Sequence, residues 1–222
     1  MTNEHPLRLA NDIPTETSFF RDLHVFDALR QFVFPELLRL RRVERKLNLW
    51  CAACSSGQEV YSLAMLLHES FPLLANHWNL QIIASDFSDE MLAKARSGMY
   101  NDLEVRRRLP PKLLQRYFHK QGNQWSVSEE LRLMVDFHNI DLREPFPSLP
   151  KMDVILLRNV LIYFDRSTQA QILDRMHRAI EPDGYLVLGA TETPLRCDTA
   201  FKSIAFDRSI FFQLHHLRNT GV

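Results

Sequence analysis

Residues 47–64 read LNLWCAACSSGQEVYSLA, and no other stretch restricts the fold of this chain as much. Apolar, β-forming residues (Leu47, Leu49, Trp50, Cys51) run into small ones (Ala52, Ala53, Cys54, Ser55, Ser56, Gly57), and helical spacing starts near Glu59. Strand, tight turn and helix in so few residues point to an open α/β sheet. There the first such turn lies at the carboxyl end of a strand, and small residues let backbone N–H groups approach a ligand closely. The stretch reads as a cofactor cradle. A dinucleotide site asks for G-x-G-x-x-G, whereas Gly57 is the one glycine here, so the turn suits a nucleoside without phosphates better than a phosphate group. Standing alone, it would read better as an ordinary βα turn of small residues.

The same unit recurs downstream. Residues 81–86 (QIIASD) make a second buried strand ending in Asp86. A carboxylate at that place either accepts ribose hydroxyls or caps the helix that begins at Ser88 or Asp89 and stops at Gly98. Residues 133–140 resume as a strand followed by Asp141, and residues 153–159 (DVILLRN) form another, with polar residues at its carboxyl end. An amphipathic helix over 167–180 (Ile172, Leu173, Met176, Ile180) is stopped by Pro182-Asp183-Gly184 before a strand at 185–189. Residues 201–214 hold two apolar runs around Asp207-Arg208, a terminal antiparallel pair. This alternation predicts a doubly wound α/β sheet of about seven strands, helices on both faces and the last strand antiparallel. The strand ends bearing Ser55, Gly57, Asp86 and Asn159 are expected to converge.

Residues 99–132 break the rhythm with Arg106-Arg107-Arg108, Pro110-Pro111 and Gly122-Asn123, and predict a small inserted β-subdomain of one or two short helices and a hairpin. Its arginines are read as facing solvent, and residues 124–127 (QWSV) as an edge strand. Residues 1–15 read as a linker or ragged start to a domain covering 16–222. Capping residues at 15–18 precede a helical pattern through Phe26, Leu29, Phe32 and Val33; on a helix Thr17 and Arg21, four apart, would share a face. Pro35 opens a further helix whose end carries Arg39, Arg41, Arg42, Arg45 and Lys46, read as solvated cations matched to the helix dipole.

Lysine and arginine number 27, as do aspartate and glutamate, so no overall field draws in nucleic acid or anionic lipid. The first residues lack the features of a signal peptide, and no apolar run has the length to span a bilayer. A cytoplasmic protein without nucleic-acid or membrane partners is expected. Cys51, Cys54 and Cys197 cannot all pair, as in a reduced compartment. The C-x-x-C spacing of the first two, with no second pair, reads as buried small side chains rather than a metal or redox site.

Five blocks then stand in order: ETSFFRD at 16–22, WCAACSSGQEVYSLAM at 50–65, ASDFSDEML at 84–92, DVILLRNVLIYFD at 153–165 and EPDGYLVLGATET at 181–193. Together they resemble the chemotaxis receptor glutamate methyltransferases, the CheR family. The resemblance implies a Rossmann-like methyltransferase that uses S-adenosyl-L-methionine, needs no metal, and releases S-adenosyl-L-homocysteine. Its products would be γ-methyl esters of glutamates on the cytoplasmic helices of methyl-accepting chemoreceptors. By matching position, Thr17 and Arg21 would contact the methionine part of the cofactor or border the transfer centre. Ala52, Ser55 and Glu59 would be first-turn contacts, Asp86 would take the ribose, Asp141 and Leu142 the adenine region, and Asn159 and Val160 the other flank. Arg21 and Tyr163 would be the catalytic pair.

The insert reads first as a hairpin that covers one end of the sheet, with docking of a receptor C-terminal peptide the alternative that the resemblance implies, and the domain is expected to act as a monomer. The chain departs from the family pattern at Ala53, where glycine is usual, and at Val60, where proline commonly follows the acidic residue. The family's small N-terminal helical domain is expected to be absent. Two other readings stand beside this one: a non-catalytic cofactor-binding or scaffold module, and a methyltransferase acting on a non-receptor protein or a small molecule.

Overall fold

In the computed structural model, residues 16–194 and 200–215 are described; the expected linker and Cys197 lie outside them. The chain enters through α1 (Leu23–Ala28), a π-helical turn (Leu29–Val33) and α2 (Phe34–Leu40). Pro35 falls in the first turn of α2, a position where a missing N–H matters least. Next come β1 (Lys46–Ala52), α3 (Gln58–Ser70), α4 (Leu73–His77), β2 (Asn79–Asp86) and α5 (Asp89–Ser97). The insert contains β3 (Met99–Asn101), α6 (Asp102–Arg106), α7 (Pro111–Tyr117), β4 (Phe118–Gln121), β5 (Gln124–Val127) and α8 (Glu129–Leu133). The main sheet resumes with β6 (Val135–Asn139), β7 (Met152–Leu157), α9 (Arg166–Ala179), β8 (Ile180–Leu188), β9 (Phe201–Phe206) and β10 (Ser209–Leu214).

Seven strands pair in the order β6-β2-β1-β7-β8-β10-β9, and β10 runs antiparallel to both β8 and β9. The expected doubly wound sheet with an antiparallel last strand is therefore present. β1, an interior strand between β2 and β7, is buried at every position after Lys46, as a parallel strand covered on both faces must be. Alternation divides it between two cores. Leu49 and Cys51 face the cluster that includes Phe26, Leu29 and Tyr61, while Trp50 and Ala52 face Ile172, Leu173 and Met176 of α9. Cys51 and Cys54 are buried, and burial pushes both thiols well up from their ordinary range. Among the described residues no helix is long and apolar enough to cross a membrane.

Several local expectations give way to tertiary packing. Residues 16–22 are not helical, because Phe19 and Phe20 are drawn into the core and the Phe20 N–H is taken by Ser62 Oγ at 2.9 Å. Thr17 and Arg21 therefore do not share a helix face. Leu133 closes α8 instead of opening a strand. Pro182-Asp183-Gly184 lies inside β8, where an irregular register absorbs it, rather than between helix and strand. The inserted hairpin gains β3 as a third strand, and β5 is its middle strand, paired on both sides, so residues 124–127 offer no free edge. The edges belong to β3 and β4.

Arg41 is not solvated either. Its Nε donates to Asp153 Oδ1 at 2.8 Å and its Nη1 to Asp183 Oδ2 at 2.8 Å, which ties the end of α2 to the starts of β7 and β8. Asp153 is itself buried; desolvation raises its carboxyl pKa, against which the Asn48 N–H at 2.8 Å and Arg41 act. Removing the cation leaves that carboxylate without its charge partner, an effect worth about 3 kcal/mol at buried pairs. Arg41→Ala is accordingly expected to lower the urea midpoint by an amount equivalent to about 3 kcal/mol with an unchanged denaturant slope, as read by circular dichroism.

Candidate functional site

Strands β1, β2, β6 and β7 run parallel and end at one edge of the sheet, where the loops leaving them wall a cavity of about 310 Å³. Residues from 16–21 complete the wall. Small-molecule sites start at roughly this size, ~300 Å³. The cavity has a built interior: the loops after β1, β2 and β7 are held in place by buried carboxylates.

The turn after β1 is left-handed at three positions, Ala53 (φ 59°), Ser55 (φ 50°) and Gly57 (φ 92°). Gly57 has no alternative, since a Cβ there would lie 2.9 Å from Ala95 Cβ and 3.1 Å from Tyr100 Oη. Ala53 and Ser55 adopt backbone that costs an L-residue roughly 1–2 kcal/mol. Hydrogen bonds hold the turn: Cys54 N–H to Ser85 O at 2.8 Å, Ser55 N–H to Asp86 Oδ2 at 2.8 Å, and Tyr100 Oη–H to Ser56 O at 2.7 Å. Ala52 ends β1 within the second core, and its neighbour Ala53 is the alanine that lines the cavity.

Asp86, at the end of β2, is buried and faces this cavity. Its Oδ2 holds Ser55 and its Oδ1 accepts the Ser88 N–H at 3.0 Å, so the carboxylate ties two loops together. The cap of α5 is Ser88, whose Oγ accepts from Met91 N–H at 3.3 Å. Each carboxylate oxygen retains acceptor capacity. Desolvation raises the Asp86 pKa, opposed by the backbone N–H bonds.

Across the cavity, the Arg158 guanidinium bridges two acids. Its Nη1 donates to Glu59 Oε2 at 2.7 Å, and its Nη2 to Asp22 Oδ2 at 2.6 Å and to the Arg21 carbonyl at 3.2 Å. Its Nε is buried without an acceptor. Burial pushes Glu59 up, and Arg158 opposes the shift. The next residue, Asn159, is left-handed (φ 57°). It is held there by Glu192, whose carboxylate accepts four backbone N–H groups: Gly189 at 2.7 Å, Asn159 at 2.7 Å, Val160 at 2.9 Å and Leu161 at 2.8 Å. A Cβ at Gly189 would lie 2.6 Å from Asn159 Nδ2, so no side chain fits.

The cavity thus brings together Thr17, Arg21, Ser55, Glu59, Asp86, Asp141, Leu142, Asn159, Val160 and Tyr163, leaving Ala52 out. Tyr163 reaches it from a single 3₁₀ turn, Leu161–Tyr163. Asp141 is paired with Arg143 (Nε to Oδ1 2.9 Å, Nη2 to Oδ2 2.6 Å), which lowers its carboxyl pKa. Sequence reasoning did not assign Asp22, Arg158 or Glu192. Arg158 carried a signal, a charge ending an otherwise apolar strand; Glu192 carried none, because three of its four donors lie more than thirty residues away.

The family described as "CheR methyltransferase, SAM binding domain" matches residues 15–210. The chain belongs to the CheR methyltransferase family. Chemotaxis protein methyltransferase 1 of Pseudomonas aeruginosa is 43% identical over 180 residues, covering 80% of this chain and 65% of that protein. Chemotaxis protein methyltransferase Cher2 of Pseudomonas putida is 41% identical over the same shares of each. Chemotaxis protein methyltransferase 1 of Vibrio cholerae is 34% identical over 203 residues, 90% of this chain and 72% of its own length. This CheR domain spans about 65% of the length of the two Pseudomonas relatives.

The donor set fits the family's cofactor. Asp86 has acceptor capacity for a pair of hydroxyls, Ile140, Leu142 and Phe87 give the wall apolar surface, and Asp22 with Glu59 exceed Arg158 by one negative charge beside the cavity, where a cation is favoured. The CheR domain also has a pH signature. Because the folded pKa of Asp86 is raised, the stability it contributes is complete below its unfolded value near 3.8 and is lost as pH rises through the folded value. Urea unfolding of wild type and Asp86→Asn at pH 4 and pH 7 is expected to show wild type losing stability relative to the variant on going up in pH. A parallel pH dependence for the two proteins would mean that burial does not shift this carboxyl.

Proposed function

We propose that this CheR domain transfers the methyl group of S-adenosyl-L-methionine to glutamate side chains on the cytoplasmic helices of methyl-accepting chemoreceptors, forming γ-methyl esters. The reading is carried by one observation: a single cavity at the carboxyl edge of the sheet gathers side chains from residues 16–21, 53–59, 86–91, 140–143 and 158–164. The names of the relatives, chemotaxis protein methyltransferases, support it. A scaffold function would not require acids and arginines from so many stretches in one pocket.

Asp86 accepts the ribose hydroxyls, Asp141 and Leu142 border the adenine, and Asn159 with Val160 form the opposite flank. Glu59, Thr17 and Ser55 face the amino-acid end, with Ala53 taking the part expected of Ala52. When bound, the cofactor supplies an electrophilic methyl on a sulfonium, whose transfer to a carboxylate leaves a neutral thioether and releases no proton. A glutamate with its ordinary pKa near 4.3 is already ionised at neutral pH, so no general base is needed. Arg21 orients the incoming carboxylate by a two-point contact, and Tyr163 hydrogen-bonds it or packs against the methyl. Alignment and exclusion of water are the protein's contribution, which for well-oriented reactants reaches roughly 7–11 kcal/mol of the barrier.

Incubation with methyl-labelled cofactor and receptor cytoplasmic fragments is expected to label the receptor, with the label released as methanol in mild base, as a carboxyl ester requires. Base-stable label would move the acceptor to another group, and cofactor binding without transfer would favour a scaffold. Asp86→Ala is expected to weaken S-adenosyl-L-homocysteine binding at least tenfold by calorimetry, since a hydrogen bond to a charged group contributes about 1.5–3 kcal/mol. Arg21→Lys should not restore the turnover lost in Arg21→Ala, because an ammonium lacks the planar fork. Full rescue by lysine would reduce Arg21 to a charge.

A further inference from the structure

Arg158 connects α3 to the segment that precedes α1, two parts that the Phe20 N–H bond to Ser62 Oγ also joins. On one side, Glu59 stands in the first turn of α3 and lines the cofactor cavity. On the other, Asp22 precedes α1 and faces a second cavity, of about 370 Å³, behind Glu192. Between them lies a guanidinium whose side chain is 1% exposed.

The segment held by this bridge is strained. Phe20 (φ 47°) and Asp22 (φ 59°) are both left-handed, a backbone that persists only where the surroundings over-determine it. Two clamps do so: Phe20 N–H on Ser62 Oγ at 2.9 Å, and Asp22 with the Arg21 carbonyl on Arg158. Arg21 sits between the clamps, and its own guanidinium donates to the nearby Glu16 carbonyl at 3.0 Å. The direction of the Arg21 side chain is therefore set by the backbone on either side of it.

Charge supplies the coupling. Two carboxylates share one cation, so this triad carries one negative charge in excess; Arg158 and Glu59 are largely desolvated, the Asp22 side chain is 30% exposed, and Arg21 is a further cation acting on Glu59. A cation arriving beside Glu59 offsets that excess and relieves the competition of Glu59 and Asp22 for Arg158.

We propose that Asp22 and Arg158 are positioning residues: the Asp22–Arg158–Glu59 cluster couples occupation of the cofactor cavity to docking of residues 16–22, so that the loaded site is the one in which Arg21 is held. The role of Arg21 toward the acceptor rests on the function proposed above; the coupling requires only that the cavity binds the cofactor. Reciprocity follows, in that whatever factor the ligand adds to docking of the segment, the docked segment adds to ligand affinity.

Hydrogen exchange with and without S-adenosyl-L-homocysteine tests this on the whole chain. In wild type the ligand is expected to raise protection of the amides at 17–22 by about fivefold or more. Asp22→Asn removes the charge while keeping a side chain that tolerates positive φ. It should abolish that rise, leave the ligand-induced protection of the first turn of α3, and lower ligand affinity by no more than the factor lost. With receptor fragments, kcat should fall by up to about a hundredfold, the scale of a small misplacement of a reacting group. Adding Asp22→Asn to Arg21→Ala should cost little beyond Arg21→Ala alone, because one residue acts through the other. A protection rise that persists in Asp22→Asn, no rise in wild type, or additive losses in the double variant would overturn the coupling. If wild type forms no ester at all, the proposed function fails, and the exchange experiment still decides the cluster.

Discussion

Where a parallel strand leaves a sheet, its last N–H groups lose their partners, and in this domain two buried carboxylates take them over. Asp86 receives Ser55 and Ser88; Glu192 receives Gly189, Asn159, Val160 and Leu161. Magnitudes show why the arrangement holds. A left-handed L-residue costs roughly 1–2 kcal/mol, whereas each hydrogen bond to a charged group contributes about 1.5–3 kcal/mol. The left-handed turns at Ser55 and Asn159 are thus outweighed by the bonds they permit. The cavity is the space left between loops fixed in this way.

The molecule uses one ionic motif twice, with different results. At the amino edge of the sheet Arg41 joins Asp153 and Asp183, and at the carboxyl edge Arg158 joins Asp22 and Glu59. Both bind a helical entrance to the strands beneath it. The second borders the cavity at the carboxyl edge, which is where the proposed coupling to a ligand acts. The first ties α2 to β7 and β8, with Asp153 buried and Asp183 half-buried, and its part is in stability.

Position 53 illustrates the same economy of backbone. The resemblance leads to an expectation of glycine there, and alanine takes φ 59°. The strain is local, because Cys54 and Ser55 on its far side are anchored to β2 through Ser85 and Asp86. Ala53 lines the cavity and packs against the second core. The inserted sheet contributes to this turn from below: Tyr100 fixes the Ser56 carbonyl and crowds Gly57.

Much of this was legible in residues alone. Central parallel strands are buried on both faces, so β1, β2 and β7 appear as continuous apolar runs, and their order with the antiparallel tail announces the sheet. The small-residue turn and Asp86 marked the carboxyl edge, and the five blocks carried the remaining cavity residues except those at 140–143. Tertiary structure alone decided that Thr17 stands off any helix, that Ala53 and not Ala52 faces the cavity, that Arg41 is half-buried in an ion-pair cluster, and that β5 is a middle strand. It alone assigned Asp22, Arg158 and Glu192. The reason is physical: periodicity and propensity act over a few residues. Arg158 meets acids 99 and 136 positions away, and Glu192 meets amides 31 to 33 positions away. Such partners are chosen by the packing of the sheet, which no local stretch encodes.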